Sequence, residues 1–148
     1  EALGYQVNFI QDNESKSTSK GMLRGLHYQL PPYTQNKLVR VIKGEVLDVA
    51  VDIRRDSPTF RKYVSVVLSD ENKKQLFIPG GFAHGFIVLS EGATFVYKVD
   101  AYYSAEHEEG IAYNDKDLDI DWRFLEKEII LSKADQNYSG LSDNKKLF

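Results

Sequence analysis

Apolar residues recur along this chain in short runs with a period of two, at residues 5–10, 22–29, 37–42, 45–53, 62–68, 75–78, 86–89 and 93–99. Turn-forming clusters separate them: Lys43-Gly44, Asp56-Ser57-Pro58, Asp70-Glu71-Asn72, Pro79-Gly80-Gly81 and Ser90-Glu91-Gly92. Many short strands at such spacing predict an all-β sandwich or closed barrel. Alternation is clearest over 45–53, where Leu47, Val49, Val51 and Ile53 share one face and Val46, Asp48, Ala50 and Asp52 the other. The first face is expected in the core, and the second is mixed. The polar stretch 11–20, QDNESKSTSK, lacks periodicity and reads as a solvated loop. From Ala101 onward the chain turns acidic and irregular, with one short helical segment expected near its end. No repeat, low-complexity tract or linker divides it, so residues 1–148 are expected to form a single domain.

Composition narrows the picture. With 148 residues and 42% hydrophobic content, the chain can bury one sizeable core. A net charge of −3, from 19 basic and 22 acidic residues mixed along the chain, offers no footprint for nucleic acid or an anionic membrane. No apolar run approaches the roughly 20 residues that span a bilayer, and no leader opens the chain. A soluble, cytoplasmic protein is expected. The absence of cysteine excludes disulfides and thiolate metal sites. The chain opens at Glu1 rather than at a methionine, as a piece of a longer sequence would.

Two of the three histidines stand inside strand patterns beside glycines: His27 in RGLHYQ and His84 in GGFAHGF. An imidazole in an apolar barrel is suited to general-base chemistry near neutral pH, although a core histidine satisfied by hydrogen bonds is the ordinary alternative. Alternation places His27 with Leu23, Gly25 and Gln29, and Arg24 on the other face. For Arg24 and His27 to serve one pocket the strand must bulge, and Gly25 is the residue that permits it. A metal-binding barrel would want a His-x-His pair, but position 29 is Gln, and the histidines have no ligand-like spacing. Neither metal nor cofactor is expected. Lys37 and Arg40 fall on opposite faces of one strand, with Lys37 the better inward candidate, able to stabilise a developing oxyanion. Lys98 is a further basic residue, directly after Tyr97. Tyr97 shares a face with Phe95 and Val99 and reads either as a core aromatic or as an acid. Asp135, in the late segment LSKAD, matters only if it reaches His27, where it would fix the imidazole tautomer.

The strings QDNESKS, KGMLRGLHYQ, QNKLVRVIKGEVLDVAVDIRRDSPTF, IPGGFAHGFIVLS, YKVDAYY, EEGIAYND, DIDW and LSKAD occur in this order along essentially the whole chain. Together they closely resemble the dTDP-4-dehydrorhamnose 3,5-epimerase family. The resemblance implies a cupin-type jelly-roll barrel acting as a homodimer. It also implies conversion of dTDP-4-dehydro-6-deoxy-D-glucose to dTDP-4-dehydro-β-L-rhamnose on the route to dTDP-L-rhamnose. Matched position by position, His27 corresponds to the general base, Asp135 to its carboxylate partner and Tyr97 to the acid on the opposite face. Lys37 corresponds to the residue near the C4 oxygen, His84 lines the same pocket, and Arg24 corresponds to a diphosphate ligand. Gln11 and Asn13 fall in a segment that contacts the nucleotide, and Gln29, beside His27, is carried as a substrate contact. Retention of Tyr97 favours double over single epimerisation. Three departures stand out: the family's N-terminal segment is not seen before Glu1, the loop SKSTSK is one residue longer than usual, and Tyr113 replaces a common Trp. The competing expectations are a single-site epimerase or other nucleotide-sugar modifier, and a nucleotide-sugar-binding barrel without catalysis.

Overall fold

The computed structural model describes Gly4 and residues 6–148. Ten strands follow in chain order: β1 (Gln11–Ser17), β2 (Met22–Gln29), β3 (Lys37–Lys43), β4 (Glu45–Asp52), β5 (Tyr63–Ser69), β6 (Gln75–Ile78), β7 (Phe82–Val88), β8 (Ala93–Val99), β9 (Glu108–Gly110) and β10 (Ile130–Leu131). They form two sheets. One has the order β1-β8-β3-β6; the other has β10-β2-β7-β4-β5, with β9 also paired to β2. All pairings are antiparallel except that of β10 with β2. This is a cupin-type jelly roll: alternation and turn spacing predict an all-β sandwich or barrel, and the family resemblance implies this particular form. Among the described residues no helix is long and apolar enough to cross a membrane.

Two apolar layers hold the sheets. Val39, Val41, Ile78 and Phe95 meet Val46, Ala50, Phe86 and Val88 between the sheets. On the outer face of the six-stranded sheet, Leu23, Leu47, Val49 and Ile87 pack under Ile111, Leu118, Trp122 and Leu141. The acidic C-terminal stretch is therefore a cover that contributes its few large apolar residues to a second core. Strand β4 is consequently buried on both faces from Val46 to Asp52, including the face expected to be mixed. Asp52 is tolerated there because its carboxylate accepts hydrogen bonds from Arg54 Nε (2.9 Å), Ser57 Oγ (2.5 Å) and Thr59 Oγ1 (2.6 Å), closing the loop after β4.

Three strand expectations are corrected. Residues 11–17 form a strand rather than a loop, pairing with β8 from Gln11↔Val99 to Ser17↔Ala93. Alternation there is polar against polar: the even positions are exposed and the odd ones at least partly covered. No hydrophobic period marks such a strand. Of the run 5–10, Tyr5 lies outside the described residues and 6–10 are irregular, because the ladder begins only at Gln11. The strand expected at 86–89 starts four residues earlier, at Phe82, since Ala83, His84 and Gly85 pair with β4 directly after the Gly80-Gly81 turn. The expected C-terminal helical segment is two 3-10 turns, at Glu126–Glu128 and Asp135–Asn137.

Candidate active site

A cavity of about 570 Å³ opens between the sheets, lined by Arg24, His27, Lys37, His84, Tyr97 and Asp135 among others. It continues into a more polar space of about 380 Å³ that shares His27, Lys37 and Tyr97 and adds Gln11 and Asn13. Two sheets therefore supply facing walls: β2 and β7 carry Arg24, His27 and His84, while β8 and β3 carry Tyr97 and Lys37.

Strand β2 reaches this arrangement through an irregularity. Against β7 its register runs Leu23↔Ile87 and Arg24↔Phe86 but then His27↔His84, so one extra residue is accommodated between Arg24 and His27. Gly25 has a φ of 122°, and a Cβ there would lie 2.7 Å from both Gly85 Cα and the His84 carbonyl oxygen. Without a side chain the two backbones close up and the phase of the strand changes. Leu23, Leu26 and Tyr28 thus enter the outer core, while Arg24 and His27 both face the cavity.

His27 Nε2 lies 2.5 Å from Asp135 Oδ1, across 108 positions of sequence. Asp135 is buried in its 3-10 turn, not exposed in a loop. Burial opposes its ionisation, but hydrogen bonds from His27, Ser132 and the Gly25 backbone outweigh burial and hold the carboxyl below its ordinary range. An ionised Asp135 accepts a hydrogen bond from Nε2–H, which in the neutral imidazole leaves the lone pair on Nδ1. On the facing wall, burial pushes the Tyr97 hydroxyl up, with Arg24 opposing and Glu108 reinforcing the shift. Tyr97 is thus a protonated donor at neutral pH. Burial pulls the Lys37 ammonium down to about 8, while Asp48 and Glu108 push it back up.

His84 is buried, and its Nε2 sits 3.1 and 2.9 Å from the two oxygens of Asp48, which is fully buried. Burial pushes Asp48 up and His84 down, so each group is costly to charge alone and depends on the other. Sequence reasoning missed Asp48 and Glu108. The available signal for Asp48 was its phase: it shares a strand face with Val46 and Ala50, which point between the sheets. Glu108 carried no such signal, being one acid in an acidic stretch.

The remaining candidates divide. Gln11 and Asn13 line the polar space and are joined by a 2.8 Å hydrogen bond from Gln11 Nε2 to Asn13 Oδ1. Arg40 and Lys98 lie away from the cavity, Lys98 donating to Asp12 at 2.7 Å. Gln29 also borders the polar space, and its amide is engaged within the protein. Nε2 donates to the carbonyls of Tyr33 and Tyr102, and Oε1 accepts from Ser104 N–H, pinning two loops to β2. Among the described residues no group of three or more metal-ligating side chains converges.

An imidazole–carboxylate pair on one wall and a protonated phenol on the other make this a jelly-roll barrel equipped for acid–base chemistry. The sequence profile of the dTDP-4-dehydrorhamnose 3,5-epimerase family matches residues 1–143, and the chain belongs to that family of isomerases. It is 64% identical over 122 residues to the dTDP-4-dehydrorhamnose 3,5-epimerase of Shigella flexneri, covering 82% of this chain and 67% of that one. Identity to the Pseudomonas aeruginosa enzyme of the same name is 52% over 143 residues, 97% of this chain and 77% of the other. A crystal structure of the Legionella pneumophila dTDP-6-deoxy-D-glucose-3,5-epimerase in complex with dTDP-4-keto-L-rhamnose superposes with a TM-score of 0.91 at 54% identity, covering 96% of this chain and 74% of that one.

Proposed function

We propose that this chain converts dTDP-4-dehydro-6-deoxy-D-glucose to dTDP-4-dehydro-β-L-rhamnose by inverting C3 and C5, supplying dTDP-L-rhamnose synthesis. The observation that carries this reading is the placement of His27, held by Asp135, across one cavity from protonated Tyr97. Protons on C3 and C5 are acidified by the C4 ketone between them. His27 Nδ1 takes such a proton, the C–H electrons move into the C–C–O unit, and the enolate oxygen gathers negative charge beside the Lys37 ammonium. Return of a proton to the opposite face of the same carbon, at C5 from the Tyr97 hydroxyl, inverts the centre. The tyrosinate then recovers its proton from solvent, and His27 releases the one it took. His84, held at Nε2 by Asp48, lines the cavity beside Lys37 on the side assigned to the C4 oxygen. Arg24 at the cavity edge suits a diphosphate, and Gln11 and Asn13 suit the nucleotide.

We assign the working form to a cytoplasmic homodimer. The outer face of the four-stranded sheet supports the dimer: Leu38, Ile42 and Val96 border a surface hollow there, and Ile42 is 47% exposed.

Proton NMR in heavy water tests the reaction. Deuterium from solvent is expected at both C3 and C5 of dTDP-4-dehydro-6-deoxyglucose, and His27→Ala is expected to abolish both. Exchange at C3 alone makes the enzyme a single-site epimerase, and exchange at neither carbon overturns the reading.

A further inference from the structure

The 3-10 turn that delivers Asp135 to His27 delivers a second side chain directly after it. Tyr138 stands edge-to-face with the His27 imidazole, ring centroids 5.8 Å apart and planes at 73°. It can stand there because of a glycine. Gly110 is the cross-strand partner of His27 in the β2–β9 ladder, and a Cβ on Gly110 would collide with the Tyr138 ring. Tyr138 also lines the cavity that holds His27, Lys37 and Tyr97. Its hydroxyl stays protonated, pushed up to about 12 by burial and by the charges of Glu108 and Asp135.

Asp135 alone cannot fix the imidazole. One hydrogen bond at Nε2 holds a point of the ring and leaves its plane free to swing, and the His27 side chain is 31% exposed, so close packing does not complete the constraint. A second contact, on a different part of the ring, is needed to define the direction of Nδ1.

We propose that Tyr138 is a positioning residue for the base: seated over Gly110, its ring sets the plane of the His27 imidazole and keeps Nδ1 aimed at the substrate carbons. The proposal rests on the reading of His27 as base, and it assigns the work to the aromatic ring rather than to the hydroxyl. Misalignment of a base by a fraction of a bond length is felt in the proton-transfer step while distant substrate contacts are left intact.

The test compares Tyr138→Leu with Tyr138→Phe. Expected for Tyr138→Leu is a kcat about 10- to 100-fold lower, with KM and dTDP affinity unchanged. Deuterium wash-in should slow at both carbons, and Tyr138→Phe should recover most of the rate. The carbon-bound ring protons of His27, one of only three histidines, should shift in the NMR spectrum of the Leu variant but not of the Phe variant. A Leu variant with wild-type kcat overturns the proposal, as does a Phe variant as impaired as the Leu one, which would make the hydroxyl the working group. Loss of dTDP affinity and of thermal stability together with kcat also overturns it, marking Tyr138 as a structural prop. The reading of His27 as base fails separately, through His27→Ala retaining deuterium exchange.

Discussion

Lys37 lies where protein interior and reaction make opposite demands. Burial lowers its ammonium to about 8 from an ordinary 10.5. If that ammonium balances the enolate, kcat/KM holds at its plateau below about pH 8 and declines above it as the lysine loses its proton. Stability should move the other way. The folded protein binds this proton less readily than the unfolded chain, so between about pH 8 and 10.5 deprotonation favours the fold and the Lys37 contribution grows. Lys37→Met should remove this alkaline limb and lower kcat/KM by about 100-fold. A wild-type profile flat across that interval would take Lys37 out of the charge-balancing role. At this scale His27 was legible from its glycine context and Tyr97 from its phase with Phe95 and Val99, while Lys37 was the better inward candidate of its strand. Asp48 showed only in its phase beside Val46 and Ala50, and Glu108 not at all, because one acid in an acidic stretch looks like surface until the fold places it.

Strand β2 is the element on which the site depends. Its bulge was foreseeable, since Arg24 and His27 could share a pocket only if alternation broke at Gly25. The close approach of Gly85 explains why the break falls at that glycine. Gly25→Ala should force the two backbones apart and cost about 3 kcal/mol, seen as a lower urea midpoint. It should also disorder His27, so that deuterium exchange falls further than the loss of folded protein accounts for. Wild-type stability in this variant would mean that the bulge tolerates a side chain. Strand β1 was illegible for the opposite reason. Its outward residues meet solvent and its inward residues meet a polar cavity, which leaves no contrast for a period-two pattern to display.

At the scale of the whole molecule, the outer face of the β1-β8-β3-β6 sheet is open among the described residues. The six-stranded sheet is covered by the C-terminal stretch, whereas Leu38, Ile42 and Val96 border an open hollow. Sedimentation equilibrium should return about twice the chain mass of 16.9 kDa, and Ile42→Glu should shift the protein towards monomer by placing a charge in the interface. A wild-type protein that sediments at the chain mass would sink the homodimer.

The sequence by itself determined the all-β class, the positions of β2, β3, β4, β5, β6 and β8, the inward phase of Lys37 and the need for a break at Gly25. Each of these is a local property, set by period-two alternation and by the backbone freedom of one residue. Tertiary structure alone decided that 11–17 is a strand, that β4 is buried on both faces and that the acidic tail is a core layer. It also decided that Asp135 meets His27 across 108 positions and that Asp48 meets His84. The physical reason is common to all of them. Pairing and burial depend on what another segment brings to the same point in space, and the chain records only the two halves of each contact, not their meeting.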